Sequence, residues 1–333
     1  MKGENKRISH FDWIRGCMII WMLVYHISLN YGRVKFGVAE DGPSAFSFMS
    51  FFMAPFYVIS GYFFSNKSDF KSFIENKIRK LLIPYCTFTI FGIIIFEIYC
   101  RITKGVWGSL QLLEAIPTGG FRANTSLWFF ISLFFCNAVY YLFTKWREGC
   151  YTHLLISICF ILAFITHNKP QVLGYGNVLL GLSFIHIGVI LKNNNEQLNK
   201  PLFVTIGSLI CLFIAVFAPQ RIEFVRNFLV QGNYFLNYIY TVSACFVLWR
   251  ISLMWEHNNL LGKCLTYIGR NSLVVYAFHR PVLNWVIEPI VRYLNPDVSY
   301  WGFLVVSLIS ILLLYVLLHF LLRKYFPILI TTK

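Results

Sequence analysis

A histidine and an arginine share one face of the first apolar segment. Arg15 and His26 have ten residues between them, and eleven steps of ~100° bring both side chains to one helix face, ~16 Å apart along the axis. An ionisable residue at bilayer depth is costly unless it works or is paired. This histidine could act as a general base on a hydroxyl or carry a transferred group, because histidine titrates near neutrality. The alternative is a histidine hydrogen-bonded between helices and an arginine that snorkels.

Two polar residues enter a later apolar segment. His279 and Arg280 follow the Asn271-Ser272 pair and would lie ~12 to 15 Å deep in a helix that begins there. Pro281 removes a backbone donor and kinks the helix, which leaves carbonyl groups of the preceding turn free to bind another group. A kinked helix that serves only as a scaffold is the alternative interpretation.

Two shorter motifs add polar groups near helix ends. Ser60-Gly61 interrupts bulky aromatic residues, so Ser60 either belongs to a close helix contact or lines a substrate path. The basic residues Lys77, Arg79 and Lys80 precede an apolar run. They could bind an anionic phosphorylated donor from the cytosol, or they could only anchor the helix at the cytoplasmic side, as the positive-inside rule describes.

The composition shows which solvent surrounds the elements that position these residues. Hydrophobic residues make up 57% of the 333 residues and charged residues 13%, with a mean hydropathy of +0.62. Apolar runs of roughly 17 to 22 residues recur along the chain and match the thickness of a bilayer. The sequence therefore predicts an all-α integral membrane protein, a bundle of about ten transmembrane helices in a single domain over residues 1–333. The predicted spans are Trp13–Asn30, Phe46–Ser65, Leu81–Cys100, Ser126–Phe143, Tyr151–Thr166, Gly176–Leu191, Pro201–Ala218, Tyr234–Met254, Asn271–Ile287 and Tyr300–Leu322.

The positive charges predict the orientation of this bundle. Lysine and arginine are about twice as frequent in the loops on the side of the termini, and the positive-inside rule places that side in the cytoplasm. Both termini are therefore predicted to be cytoplasmic, in a multi-pass protein of the inner (cytoplasmic) membrane. The net charge of +15 is spread over short loops, which is typical of contact with anionic lipids and not of nucleic-acid binding. The nine cysteines show no metal-ligand spacing, so no metal site is predicted.

Taken together, the motifs resemble those of the acyltransferase 3 family of membrane acyltransferases, along nearly the whole chain. One departure is that lysine stands at two positions where the family usually has arginine, which keeps the charge but loses the bidentate phosphate geometry. The chain also resembles the stand-alone members, which carry no fused hydrolase-like domain. The motifs concerned are Arg15 with His26, Ser60-Gly61-Tyr62-Phe63, Lys77 and Lys80 before Leu81-Leu82-Ile83-Pro84-Tyr85, Leu127-Trp128-Phe129-Phe130, and Asn271-Ser272 with Tyr276, His279 and Pro281.

The resemblance implies transfer of a short acyl group, most often acetyl from acetyl-CoA, to a hydroxyl of a surface or lipid-linked polysaccharide. Acyl-CoA is then a co-substrate, and no cofactor is bound permanently. His26, with Arg15, is the implied catalytic group, and it either removes the proton of the acceptor hydroxyl or carries the acyl group transiently. The implied donor-binding residues are Lys77, Arg79 and Lys80, and those that shape the pocket or polarise the thioester carbonyl are Ser60, Trp128, Tyr276, His279 and Arg280.

A transporter or flippase that moves a lipid-linked sugar without acyl chemistry is the alternative function. Broken helices in matching halves of the chain would favour it, and the sequence shows no such internal symmetry. The acyl group, the acceptor sugar and the oligomeric state stay open. We interpret His153, His186 and His319 as structural, while Glu97 either neutralises a cation or contacts a sugar.

Overall fold

The chain folds into a helical bundle. This computed structural model describes residues 9–36, 53–107, 124–146, 149–169, 174–194, 202, 205–210, 213, 221–223, 229–231, 233–255, 259–295 and 297–325. The helices are α1 (Ser9–Phe36), α2 (Ala54–Tyr62), α3 (Phe70–Lys77), α4 (Ile83–Lys104), α5 (Trp128–Trp146), α6 (Cys150–Thr166), α7 (Tyr175–Asn193), α8 (Tyr234–Met254), α9 (Leu260–Arg270), α10 (Ser272–Val282), α11 (Glu288–Leu294) and α12 (Tyr300–Tyr325). Two three-residue strands, β1 (Arg221–Glu223) and β2 (Leu229–Gln231), form an antiparallel pair.

Among the residues that the structure describes, five helical segments are long and apolar enough to cross a membrane. The longest runs without a break from α3 through α4, and it presents exposed apolar side chains such as Ile90, Ile94 and Ile98. Such outward apolar surface suits a lipid solvent and confirms the prediction of a helical membrane protein. The count of ten spans and the cytoplasmic position of both termini stay predictions. The five segments are Phe70–Lys104, Trp128–Lys145, Tyr175–Asn193, Tyr234–Met254 and Tyr300–Tyr325, and Cys150–Thr166 is a shorter apolar helix.

Several predicted spans differ from the helices observed. The span predicted to begin at Leu81 belongs to a helix that begins at Phe70, because a π-helical turn, Ile78–Leu82, joins α3 to α4. The predicted span Asn271–Ile287 consists of α10, a second π-helical turn, Leu283–Ile287, and the start of α11. Of Phe46–Ser65, residues 46–52 lie outside the described part of the chain, as does most of Pro201–Ala218.

Helix α1 is the central helix of the bundle. It is 28 residues long but less apolar than the five segments above, because it carries Asp12, His26 and Asn30. These three side chains are 1%, 9% and 0% exposed, so they face the protein interior and not lipid. The helix packs against α8, α9, α10 and α12. Its polar face therefore lies where ionisable groups are tolerated in a membrane protein.

Glycines bring two pairs of helices into backbone contact. A β-carbon at Gly269 of α9 would overlap the backbone oxygen of Asp12 in α1, and one at Gly61 of α2 would overlap the backbone oxygen of Ile185 in α7. Gly188 of α7 is equally tight against α2. Small residues allow this approach, as in other membrane helices. The packing interpretation of the Ser-Gly motif is thus confirmed for Gly61.

Candidate active site

Four cations from separate elements surround a cavity of about 380 Å³ at one end of the bundle. We call it the cationic cavity, and its charged residues are Arg15, Lys77, Lys80 and Arg270. It lies where α1 begins, where α3 passes into α4, and where α9 passes into α10. Its other lining residues include the polar side chains Ser60, Asn137, Ser272 and Tyr276 and the apolar side chains Ile19, Phe56, Phe129, Phe130 and Leu273.

A buried asparagine fixes one lysine of this cavity. The Lys77 Nζ atom donates to Asn137 Oδ1 at 2.7 Å, and Asn137 Nδ2 donates to Ser60 Oγ at 3.1 Å. Asn137 is 0% exposed in the middle of α5. The Lys77 ammonium also lies 5.2 Å from the centroid of the Phe73 ring, within the range of a cation–π contact. The ammonium is therefore held in place at the cavity wall, and its remaining protons can bind an anion.

One carboxylate joins the two arginines of the cavity. Asp12 Oδ1 accepts from Arg15 at 3.1 Å, and Asp12 Oδ2 accepts from Arg270 Nε at 3.4 Å. The carboxylate is almost fully buried, whereas both guanidinium groups reach the cavity. Two lysines, two arginines and one carboxylate leave three net positive charges. Such a site favours a ligand with several negative charges.

Two histidines from distant parts of the chain stack deeper in the bundle. The rings of His26 in α1 and His279 in α10 have centroids 5.1 Å apart and planes inclined by 23°. His279 is 0% exposed, and its Nδ1 atom lies 2.7 Å from the carbonyl oxygen of Tyr276. Because a carbonyl oxygen only accepts, Nδ1 carries the proton. In the neutral ring, Nε2 then accepts from the Ser126 hydroxyl, 3.4 Å away.

The proline of α10 frees a backbone carbonyl beside this pair. Pro281 has no N–H to donate to the carbonyl four residues earlier, at Ala277. The Asn124 side-chain amide donates to that oxygen instead, at 2.6 Å. The Tyr276 hydroxyl donates to the carbonyl of Ser126, so a second bond ties α10 to the segment just before α5. The prediction that Pro281 leaves a carbonyl for another group is confirmed.

The structure brings together most of the residues predicted from the sequence. Arg15, Ser60, Lys77, Lys80 and Tyr276 line the cationic cavity. His26 and His279 form the stacked pair, and the Arg280 guanidinium lies within electrostatic range of His279 and Tyr276. Two predicted residues lie elsewhere: Arg79 is exposed and outside the cavity lining, and Trp128 is half-buried and packs against the apolar core.

Arg15 and His26 share a helix face, as predicted, but they belong to different parts of the site. The eleven residue steps from Arg15 to His26 separate the two positions by ~16 Å along the helix axis. Arg15 belongs to the cavity wall, and His26 belongs to the histidine pair.

Some residues of the site were missed in the sequence. Asp12 lies one turn before Arg15, a spacing that signals an ion pair on a helix. Asn137 interrupts an apolar helix, and a polar residue at such depth is itself a signal. Arg270 gives no such signal, because a basic residue just before an apolar run is also typical of a positive-inside anchor. Within the described ranges, no three His, Cys, Asp or Glu side chains come together in a way that could hold a metal ion.

His153 and His186 form a separate hydrogen-bonded chain. The Nε2 atom of His186 lies 2.8 Å from Nδ1 of His153, and the Tyr140 hydroxyl lies 2.8 Å from Nδ1 of His186. These contacts join α5, α6 and α7 away from the stacked pair. Paired histidines of this kind fit the structural interpretation given to them above.

Comparison with known protein families assigns the whole site to one domain. The family model described as an acyltransferase domain matches residues 8–320, which include every site residue named above. A comparison with curated proteins gave no match. The match covers nearly the entire chain, and so the protein belongs to the acyltransferase 3 family.

Proposed function

We propose that the protein transfers a short acyl group, acetyl from acetyl-CoA, to a hydroxyl of a surface or lipid-linked polysaccharide. Its family supports acyl transfer in general. The observation that carries the finer proposal is the arrangement along α1, where a cationic cavity at one end leads towards a buried histidine pair. The cavity would hold the charged acyl donor, and the histidine would accept the proton of the acceptor hydroxyl.

The cationic cavity suits the donor. Coenzyme A carries several phosphate charges, and three net positive charges lie around the cavity. Lys77 and Lys80 act as point charges on the phosphates, while Arg15 and Arg270 add planar donors held by Asp12. The apolar walls around Ile19 and Phe130 accommodate the uncharged arm that bears the thioester. Arg15, ~16 Å from His26 along the helix, binds the donor and takes no part in proton transfer.

The histidine pair suits the chemical step. His26 takes the proton of the acceptor hydroxyl while the hydroxyl oxygen bonds to the thioester carbonyl carbon. The carbon–sulfur bond then breaks, and the thiolate of coenzyme A receives the proton from His26. Arg280 stabilises the negative charge that develops on the carbonyl oxygen. In the alternative, a ring nitrogen of His26 bonds to the thioester carbonyl carbon as the carbon–sulfur bond breaks, which gives an acyl-histidine and the thiolate of coenzyme A. The acceptor hydroxyl oxygen then bonds to that carbon, the carbon–nitrogen bond breaks, and the hydroxyl proton passes to the thiolate.

The burial of the pair protects the donor. His26 is 9% exposed and His279 is 0% exposed, so little water reaches the place where the thioester reacts. Exclusion of water limits hydrolysis of a reactive acyl group. The hydrogen bond from His279 to the Tyr276 carbonyl holds that ring in one orientation, against which His26 stacks.

Labelled acetyl-CoA tests this function. Membranes that contain the native chain, His26→Ala or His153→Gln in equal amounts are incubated with radiolabelled acetyl-CoA, and label in the glycan fraction is measured. A general base contributes ~10²- to 10⁴-fold to a rate, so His26→Ala should lose at least about a hundredfold. His153→Gln is the matched control, because His153 lies outside the pair and is exposed.

Two results would overturn the proposal. Equal labelling by the native chain and His26→Ala removes His26 from the reaction. No labelling by any chain, with either acetyl-CoA or succinyl-CoA as donor, removes acyl transfer from these donors and favours transport of a lipid-linked sugar.

A further inference from the structure

A second cavity, of about 440 Å³, lies at the other end of the bundle. Tyr99 at the end of α4 lines it, together with Asn284 and Trp285 of the second π-helical turn. Glu288, Arg292 and Tyr293 of α11 line it as well. We call it the aromatic cavity.

The two cavities are separated by most of the thickness of a bilayer. Along α4 and the turn before it, nineteen residues lead from Lys80 at the cationic cavity to Tyr99 at the aromatic cavity, a rise of ~28 Å. Along α1, Arg15 and Asn30 are ~22 Å apart. The hydrocarbon core of a bilayer is ~30 Å thick. The aromatic cavity therefore opens towards the membrane surface opposite the cationic cavity.

The aromatic cavity has a rigid ring on its wall. The Trp285 ring packs edge-on against Phe96, with centroids 4.9 Å apart, and it is tilted by 45° against Tyr99, with centroids 5.0 Å apart. Phe96 is buried, so it holds the indole from behind. An indole fixed in this way presents a large apolar surface beside polar groups. The apolar face of a sugar ring packs well on such a surface.

The polar groups of the aromatic cavity are balanced in charge. Glu288 pairs with Arg292 at 2.8 Å, and the fully buried Asn30 donates to Glu288 Oε2 at 2.7 Å and to Asn284 Oδ1 at 2.8 Å. The carboxylate, amide and guanidinium groups together offer donors and acceptors in close proximity. Their charges cancel, in contrast to the cationic cavity. This chemistry suits a neutral polyhydroxyl ligand better than an anion.

The aromatic cavity is also linked to the histidine pair by two helices. Asn30 follows His26 by four residues, so it lies on the same face of α1 and ~6 Å further along. Asn284 follows His279 by five residues, ~8 Å further along the helical segment that continues from α10 into the second π-helical turn. Along the helix axes, both histidines therefore lie within ~8 Å of the polar wall of the cavity. A ring bound against Trp285 can direct one hydroxyl towards His26.

We propose that the aromatic cavity binds a sugar unit of the acceptor, which enters from the end of the bundle opposite the acyl donor. The inference rests on the proposed function and adds to it the acceptor site, with Trp285 as the stacking surface. Asn284, Glu288 and Arg292 bind its hydroxyl groups. The acyl group then meets the acceptor at the histidine pair, and neither charged coenzyme nor bulky glycan has to cross the membrane.

Two measurements on the same variants test this site. Transfer of label from radiolabelled acetyl-CoA to the glycan of the host membranes reports the complete reaction, and retention of radiolabelled acetyl-CoA by the purified chain in detergent reports donor binding alone. Trp285→Ala removes the stacking surface, while Trp285→Phe keeps an aromatic ring in its place. Trp301→Ala is the matched control, because Trp301 is an exposed tryptophan of α12 outside the cavity lining.

The expected pattern separates acceptor binding from donor binding. Loss of an aromatic side chain that stacks on a nucleobase weakens binding by about fivefold to more than a hundredfold, and by analogy Trp285→Ala should reduce transfer by about tenfold to a hundredfold with donor retention unchanged. Trp285→Phe should recover transfer to within about threefold of the native rate, and Trp301→Ala should match the native chain. Native transfer in Trp285→Ala would overturn the acceptor site and leave the proposed function standing. So would loss of donor retention in Trp285→Ala, or a Trp285→Phe variant that binds donor but is as inactive as Trp285→Ala. If the native chain itself transfers no label, the proposed function fails, and the acceptor site fails with it.

Discussion

Lys77 and Arg79 lie within one helical turn, but their replacement by methionine should have very different effects on the binding of acetyl-CoA. Lys77 lines the cationic cavity and is held by Asn137, whereas Arg79 is exposed and outside the lining. Methionine removes the charge, and with it the cation–π contact to Phe73, but it keeps a long unbranched side chain that fills the same space. Each variant loses one positive charge, so a difference between them reports the position of that charge.

The size of the effect follows from the hydrogen bond that is lost. A hydrogen bond to a charged group is worth ~1.5–3 kcal/mol, and each 1.4 kcal/mol is a tenfold change in binding. Lys77→Met should raise the KM for acetyl-CoA by about tenfold to a hundredfold. Its kcat should stay within about threefold, because Lys77 binds the donor equally in the ground and transition states. Arg79→Met should leave both constants within about twofold, since a distant exposed charge is screened by salt.

Initial rates at several acetyl-CoA concentrations, in detergent-solubilised protein at fixed ionic strength, measure both constants. Equal increases of KM in the two variants would show that only the overall positive charge matters, and the cavity would not be the donor site. A loss of kcat in Lys77→Met with unchanged KM would place this lysine in the chemical step, contrary to our reasoning.

Two further predictions concern the fold around the site. Gly269→Ala should lower the free energy of unfolding by ~1–3 kcal/mol, because a β-carbon there overlaps the backbone oxygen of Asp12. Thermal unfolding in detergent measures this change. Gly207→Ala is the control, since the atom nearest to its β-carbon would be 3.9 Å away. An equal melting temperature for both variants would contradict the close helix contact. Pro281→Ala should restore an N–H that donates to the Ala277 carbonyl and displaces the side-chain amide now bound there. We expect acyl transfer to fall by about tenfold or more while the protein remains folded, and an unchanged rate would show that this hydrogen bond does not position the histidine pair.

Helical periodicity predicts part of this site and fails where distant segments meet. The spacing of Arg15 and His26 predicts one shared face of α1, and the structure confirms it. The prediction that grouped Arg79 with Lys77 and Lys80 did not use this periodicity, by which residues three apart face alike and residues two apart do not. It does not predict the stacking of His26 on His279, because that contact depends on how two helices far apart in sequence are placed. Composition does not predict this contact between helices either, since lipid-facing and helix-facing surfaces are equally apolar in a membrane.

The π-helical turns are the other feature that the sequence pattern does not predict. A π-helical turn carries i→i+5 hydrogen bonds and rotates the following residues relative to a regular α-helix. One turn, Ile78–Leu82, lies at the cationic cavity and the other, Leu283–Ile287, at the aromatic cavity. Single π-helical turns are often found at functional sites. The sequence therefore predicts an apolar run at each of these two places. It does not predict which way the polar side chains of the run point, because the π-helical turn rotates them.

The difference in charge between the two cavities supports their separate roles. The cationic cavity retains three positive charges, and it would bind any polyanion of suitable size. In the aromatic cavity, Glu288 and Arg292 neutralise each other, so the attraction for coenzyme A at that end is small. A neutral sugar gains little from free cations but much from a fixed ring and paired polar groups. If the two substrates are selected in this way, each is directed to its own end of α1, and the histidine pair lies between the two ends, where both can meet.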